Sequence, residues 1–190
     1  VGRRSVGDAM SWLDRFGAPV MSIGASSEGS RYHSACDDFR SVRIFDDPEL
    51  LYQTSMAKLN GLIVMRLGSS DLLPFRYSSY AEEVAGYLRE LEDVQRAELG
   101  RVAIGLDRHI EQAAEWAEAA REFEAEANKL LASNGGPSDF SRMNGALMKV
   151  ERSLLIHRGL PGRFWYRHQI YATELTNGFA LAKLPGIRDA

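Results

Sequence analysis

Three long stretches of this chain place apolar residues at alternating spacings of four and three. The first runs through Tyr80, Val84, Tyr87, Leu91 and Val94. The second carries Leu106, Ile110, Ala113, Ala117, Ala120, Phe123, Ala127 and Leu130 over about seven turns. The third has Phe140, Met143, Leu147, Val150 and Leu154. Such a stripe predicts an amphipathic helix, and three in succession with short connections predict an antiparallel bundle. The alanines of the middle stripe allow close approach of backbones. Ahead of them, Asp46, Asp47, Pro48 and Glu49 make a good helix start: Asp47 can cap, Pro48 suits the first turn and Glu49 favours the positive end. That helix is expected to reach about Leu67. Its second half, Leu62, Ile63, Val64 and Met65, is apolar on all sides and is expected to be deeply buried.

The first 45 residues follow another pattern. Asp8 can cap a short helix carrying Met10, Trp12, Leu13 and Phe16, closed by Gly17. Pro19, Val20, Met21, Ser22 and Ile23 read as a short buried strand, and a loop of small and polar residues follows. A helix, a strand and such a loop form the tail of an α/β unit whose partner strands are elsewhere. In α/β proteins, sites gather at the loop after the carboxyl end of a strand. Beyond Gly159 the helical period is lost. The aromatic, basic segment Phe164-Trp165-Tyr166-Arg167-His168-Gln169-Ile170-Tyr171 is expected to lie as an ordered loop over 159–186. The fold class is therefore mainly α: a helical domain, 46–190, preceded by an α/β remnant, 1–45.

Composition limits the choices. At 190 residues, 45% hydrophobic and 26% charged, the chain is globular in character. With 23 basic and 26 acidic residues it carries a net charge of −3, so no nucleic-acid partner is expected. The longest uninterrupted apolar run, 62–65, is far too short to span a bilayer, and no signal peptide is expected. Cys36 is the single cysteine, which excludes an intrachain disulfide and reads as a small residue packed beside the loop.

Candidate chemistry centres on Tyr32-His33-Ser34, in that loop. His33 is either a zinc donor or a loop histidine bonded to backbone, with only Asp37 and Asp38 as nearby helpers. Catalytic zinc needs three protein ligands. His168 reads as a packed polar histidine, and His109 and His157 as surface or interface residues. No His-x-x-x-His or Cys-x-x-Cys spacing, Gly-x-Ser-x-Gly elbow or phosphate loop is present.

With these residues in view, the chain resembles the carboxyl-terminal part of the glutamate carboxypeptidase II and transferrin receptor family of co-catalytic zinc peptidases. Ser5-Val6-Gly7-Asp8 and the following Trp12-Leu13-Asp14-Arg15-Phe16-Gly17 resemble one family motif. Tyr32-His33-Ser34 with Phe45-Asp46-Asp47-Pro48 resembles a second. Leu160-Pro161-Gly162-Arg163, Tyr166-Arg167-His168-Gln169-Ile170-Tyr171-Ala172 and Leu184-Pro185-Gly186-Ile187-Arg188-Asp189-Ala190 resemble the final loop, and Leu72-Leu73-Pro74-Phe75 also fits.

The resemblance implies a homodimer formed through the helical domain, a peptidase domain upstream, and a peptide substrate for the parent protein. His33 would be the last protein ligand of a two-zinc site, and Tyr32 would stand beside the substrate. The other ligands and the glutamate base would lie before Val1, so the chain alone is expected to bind no zinc, to contain no catalytic residue and to be inactive. Gly178 and Phe179 match a Lys-Tyr pair that holds the side carboxylate in glutamate-releasing members, and Ile23 and Ala25 match their arginines. An apolar or broad peptide preference follows. Family members are often membrane-anchored or secretory-pathway proteins. The alternative is a helical scaffold or receptor-type member without catalysis.

Overall fold

The computed structural model of the chain describes residues 8–24, 31–133, 139–176, 178 and 180–189. The fold is mainly α and divides into two compact units, Met21–Asp71 and the combination of Val1–Val20 with Leu72–Ala190.

The larger unit contains α1 (Met10–Phe16), α4 (Tyr77–Leu99), α5 (Asp107–Ala132), α6 (Ser141–Ser153), strands β1 (Tyr171–Thr173) and β2 (Leu181–Lys183), and the short α7 (Pro185–Arg188). The smaller contains α2 (Phe39–Ser41), a π-helical turn (Val42–Asp46) and α3 (Leu51–Gly68).

The apolar stripes of α4, α5 and α6 meet in one core with Met10, Leu13, Leu106, Ile170, Tyr171 and Leu184. Aromatic rings fill its centre: Tyr80 lies 5.4 Å from Trp116 and stacks on Tyr171 at 5.9 Å. Polar groups close the seams between helices. Tyr77 donates its hydroxyl to Leu147 O at 2.8 Å, and Leu73 N donates to Asn144 Oδ1 at 2.8 Å. Ser78 donates its backbone N–H and its hydroxyl to the Glu124 carboxylate, at 3.0 and 2.8 Å.

The connection from α4 to α5 is held by α4 itself. Gln95 Oε1 accepts from Ala103 N and Ile104 N, and the buried Glu92 accepts from Leu106 N at 3.0 Å. A carboxylate there also suits the positive end of α5.

After α6 the chain turns tightly. At Gly159, φ is +79°, and a Cβ would fall 2.2 Å from the Phe164 carbonyl oxygen. Only glycine fits. The loop then feeds an antiparallel hairpin that pairs Tyr171 with Lys183 and Thr173 with Leu181. Arg163 ties the end of the chain to this loop. It donates to Asp189 and to the Thr173 carbonyl, with its side chain almost wholly buried.

Two expectations are not met. Residues 19–24 form no strand, and Val20 and Met21 are exposed. A strand needs a neighbour for its backbone groups, and none of the described residues supplies one. The helix after Asp47 forms, starting at Leu51, with the Asp47 carboxylate accepting from Leu51 N at 2.7 Å and Gln53 N at 3.0 Å. It is not buried: Leu62, Val64 and Met65 are 57%, 68% and 70% exposed. The sequence makes the run from Leu62 to Met65 apolar all round, but the described residues form no core of their own around it.

Candidate functional site

The Tyr32–His33 turn is built by local hydrogen bonds. Ser34 donates its N–H and hydroxyl to Arg31 O, at 2.9 and 2.6 Å, and Cys36 N donates to Ser34 Oγ at 3.2 Å. His33 adopts left-handed backbone with φ 59°. Its N–H donates to Asp37 Oδ2 at 3.3 Å. The Asp38 carboxylate caps α2 by accepting from Ser41 N at 2.7 Å. Both aspartates are thus engaged with backbone.

The rings of Tyr32 and His33 stack at 3.9 Å with 20° between their planes, and both residues face solvent. Left-handed backbone at a residue with a side chain costs about 1 kcal/mol, and such costs gather at functional turns. Cys36 is exposed, not packed as expected. The turn gives it no apolar neighbour layer to enter.

Among the described residues, no three or more His, Cys, Asp or Glu side chains are grouped so as to hold a metal ion. His33 is one donor, where catalytic zinc needs at least three.

Gly178 belongs to the other unit, in an exposed turn between β1 and β2. Phe179 and Ala25 lie outside the described residues, and Ile23 is half-buried. His168 is a fully buried, packed histidine as expected, while His109 and His157 are exposed.

Sequence reasoning missed Asp14. It lies on α1 and is 1% exposed, and its Oδ1 has no hydrogen-bond partner. Burial pushes its carboxyl up to about 7, against the opposing pull of the Arg163 guanidinium. The Asp14 backbone carbonyl accepts from Arg167 N at 2.9 Å, which fastens α1 to the final loop. Nothing in the local sequence marks Asp14, because the residues enclosing it lie some 150 positions away in that loop. The outer side of α1 shows Trp12 and Phe16, 60% and 56% exposed and one helical turn apart.

Residues 104–190 match the transferrin receptor-like dimerisation domain family. A probable glutamate carboxypeptidase of Arabidopsis thaliana, LAMP1, is 30% identical over 183 residues, which cover 96% of this chain and 26% of the relative. The mouse aminopeptidase NAALADL1 is 28% identical over 159 residues, covering 84% of this chain and 21% of the relative. A Schizosaccharomyces pombe protein named an inactive zinc metalloprotease, C354.09c, is 24% identical over 198 residues, covering 96% and 24%. The chain is thus similar to the glutamate carboxypeptidase and transferrin receptor family, and its second half to that family's dimerisation domain. It spans about a quarter of the length of the curated relatives it matches. Among the described residues, no helix is long and apolar enough to cross a membrane.

Proposed function

We propose that this chain is the dimerisation part of a zinc-dependent exopeptidase, with the tail of the peptidase domain in residues 1–45 and the helical domain in 46–190. His33 is one ligand of a two-zinc site completed by residues beyond this chain. Tyr32 stands beside the peptide substrate, and Gly178 and Phe179 border it. Without the remaining ligands and a general base, the chain alone is inactive. With neither a cation nor a hydroxyl at 178–179, the parent prefers apolar or varied peptides to those ending in glutamate.

One observation carries this reading. The second half of the helix Leu51–Gly68 carries the apolar run Leu62, Ile63, Val64 and Met65, yet Leu62, Val64 and Met65 face water. Such surface belongs against another protein body. The exposed Trp12 and Phe16 of α1 support the same reading.

The test joins the chain to its upstream coding sequence and measures zinc content and peptide hydrolysis, with and without His33→Ala. Stoichiometric zinc and hydrolysis in the parent, both lost in the variant, are expected. Full zinc and activity in His33→Ala would remove His33 from the ligand set. Sedimentation of the same protein should give a dimer.

A second reading, a family member without catalysis, has one point in its favour: the fission-yeast relative is named inactive. The histidine present at position 33 weighs against it, and a parent that binds no zinc would establish it.

A further inference from the structure

The buried carboxylate of Glu151 joins the Tyr80 hydroxyl to His168, whose ring is fully enclosed. Nδ1 faces two backbone donors, Ile170 N and Tyr171 N, each at 3.2 Å. It must present a lone pair to both. The ring proton therefore sits on Nε2 and is donated to Glu151 Oε1, 2.9 Å away. The same carboxylate oxygen accepts from the Tyr80 hydroxyl at 3.1 Å. A chain of hydrogen bonds thus runs from α4 through α6 to the root of β1.

The backbone around His168 is equally fixed. On one side Ile156 N donates to Arg167 O at 2.7 Å and Gln169 N donates to Leu154 O at 3.0 Å. On the other, Leu184 N donates to Ile170 O at 2.8 Å. The hairpin growing from this root is short. Its strands are three residues each, and one further bond, Glu174 N to Ala180 O, closes it before the turn that holds Gly178. A ribbon of that length is marginal by itself and takes its direction from what anchors its base.

We propose that His168 is a positioning residue. Its hydrogen bonds to Glu151 and to the Ile170 and Tyr171 amides aim the β1–β2 turn, and so set the substrate-facing geometry of the position held by Gly178. The aiming is a property of this chain. The substrate role of the turn rests on the peptidase reading above.

Two variants separate the bonds of the two ring nitrogens. His168→Asn keeps an acceptor near Nδ1 and loses the bond to Glu151. His168→Gln keeps a donor toward Glu151 and loses the acceptor. Tyr80→Phe is the milder change and removes only the far link. In the 190-residue chain, amide hydrogen exchange over 171–183 should quicken about tenfold in each histidine variant, as loss of the Glu151 bond in one and of the shared acceptor for two amides in the other implies, and less in Tyr80→Phe. The amides of α4–α6 should keep their wild-type rates. Equal loosening everywhere, or no change in the hairpin, overturns the proposal.

In the peptidase-complete protein, His168→Asn should raise KM about fivefold or more while kcat holds, because binding geometry and not chemistry is disturbed. An unchanged KM removes the substrate half of the proposal. A wild-type parent that hydrolyses no peptide sinks the peptidase reading and that half together, and the exchange measurement still decides whether His168 aims the hairpin.

Discussion

Gly17 closes α1 directly against the backbone of Arg152 in α6: a Cβ on Gly17 would stand 3.0 Å from Arg152 Cα. Its φ of +58° is also one that a side chain resists. Gly17→Ala should therefore cost about 1–3 kcal/mol and loosen α1 from α6. Gly100 is the control. It has a similar φ of +66° but open space around it, so Gly100→Ala should cost only about 1 kcal/mol. Urea unfolding of the two variants separates the contact from the backbone strain. Equal costs would show that the Arg152 contact yields without penalty.

Asp14 gives the larger unit a pH dependence of definite sign. Its carboxyl is raised from 3.8 to about 7 by burial, so the folded state binds a proton that the unfolded state has already released. The stability this contributes is complete below pH 4 and is lost as pH rises through about 7. Asp14→Asn should flatten that decline. Melting temperatures of both proteins from pH 4 to 8 test it, and a wild-type curve rising relative to the variant over this range would contradict the assignment.

The loop after α6 rests on Gly159. A methyl group there meets the carbonyl oxygen, Cα and carbonyl carbon of Phe164 within 2.6 Å. Backbone cannot yield as a flexible side chain does, so Gly159→Ala should destabilise by about 2–4 kcal/mol through strain and displacement together. Near-ultraviolet circular dichroism should also change, because Trp165 and Tyr166 lie in this loop. A variant with wild-type stability would show that the loop has another route.

The outward side chains of α3 should tolerate charge. Val64→Lys and Met65→Lys replace exposed residues and should shift chain stability by no more than about 0.5 kcal/mol. They should reduce self-association in light scattering, since they break an apolar surface. In the parent protein the same changes should hinder assembly of the peptidase. A large loss of stability in the chain alone would mean that the helix is packed there after all.

The long helices were readable because their apolar stripes encode burial directly. Tyr80, Val84, Leu106, Ala113, Ala117 and Leu147 all lie inside. The capping role of Asp47 was equally local and equally plain. The buried carboxylates Asp14, Glu92 and Glu151 were hidden from that reading. Each occupies a position that looks solvated, and what accommodates it comes from other turns or elements, as with Glu151 and His168. The hairpin escaped as well, because three-residue strands are too short to show alternation. Tyr32 and His33 were visible as neighbours, but the left-handed backbone that stacks their rings had no signature in composition.

The bare face of α3 also bears on how much of this polypeptide a cell can keep. Chaperones and proteases continuously sort chains that display apolar surface. A copy whose α3 finds its cover escapes them, and a copy left uncovered is held or degraded. On the proposed reading, the chain's abundance should track the supply of the body that shelters this helix.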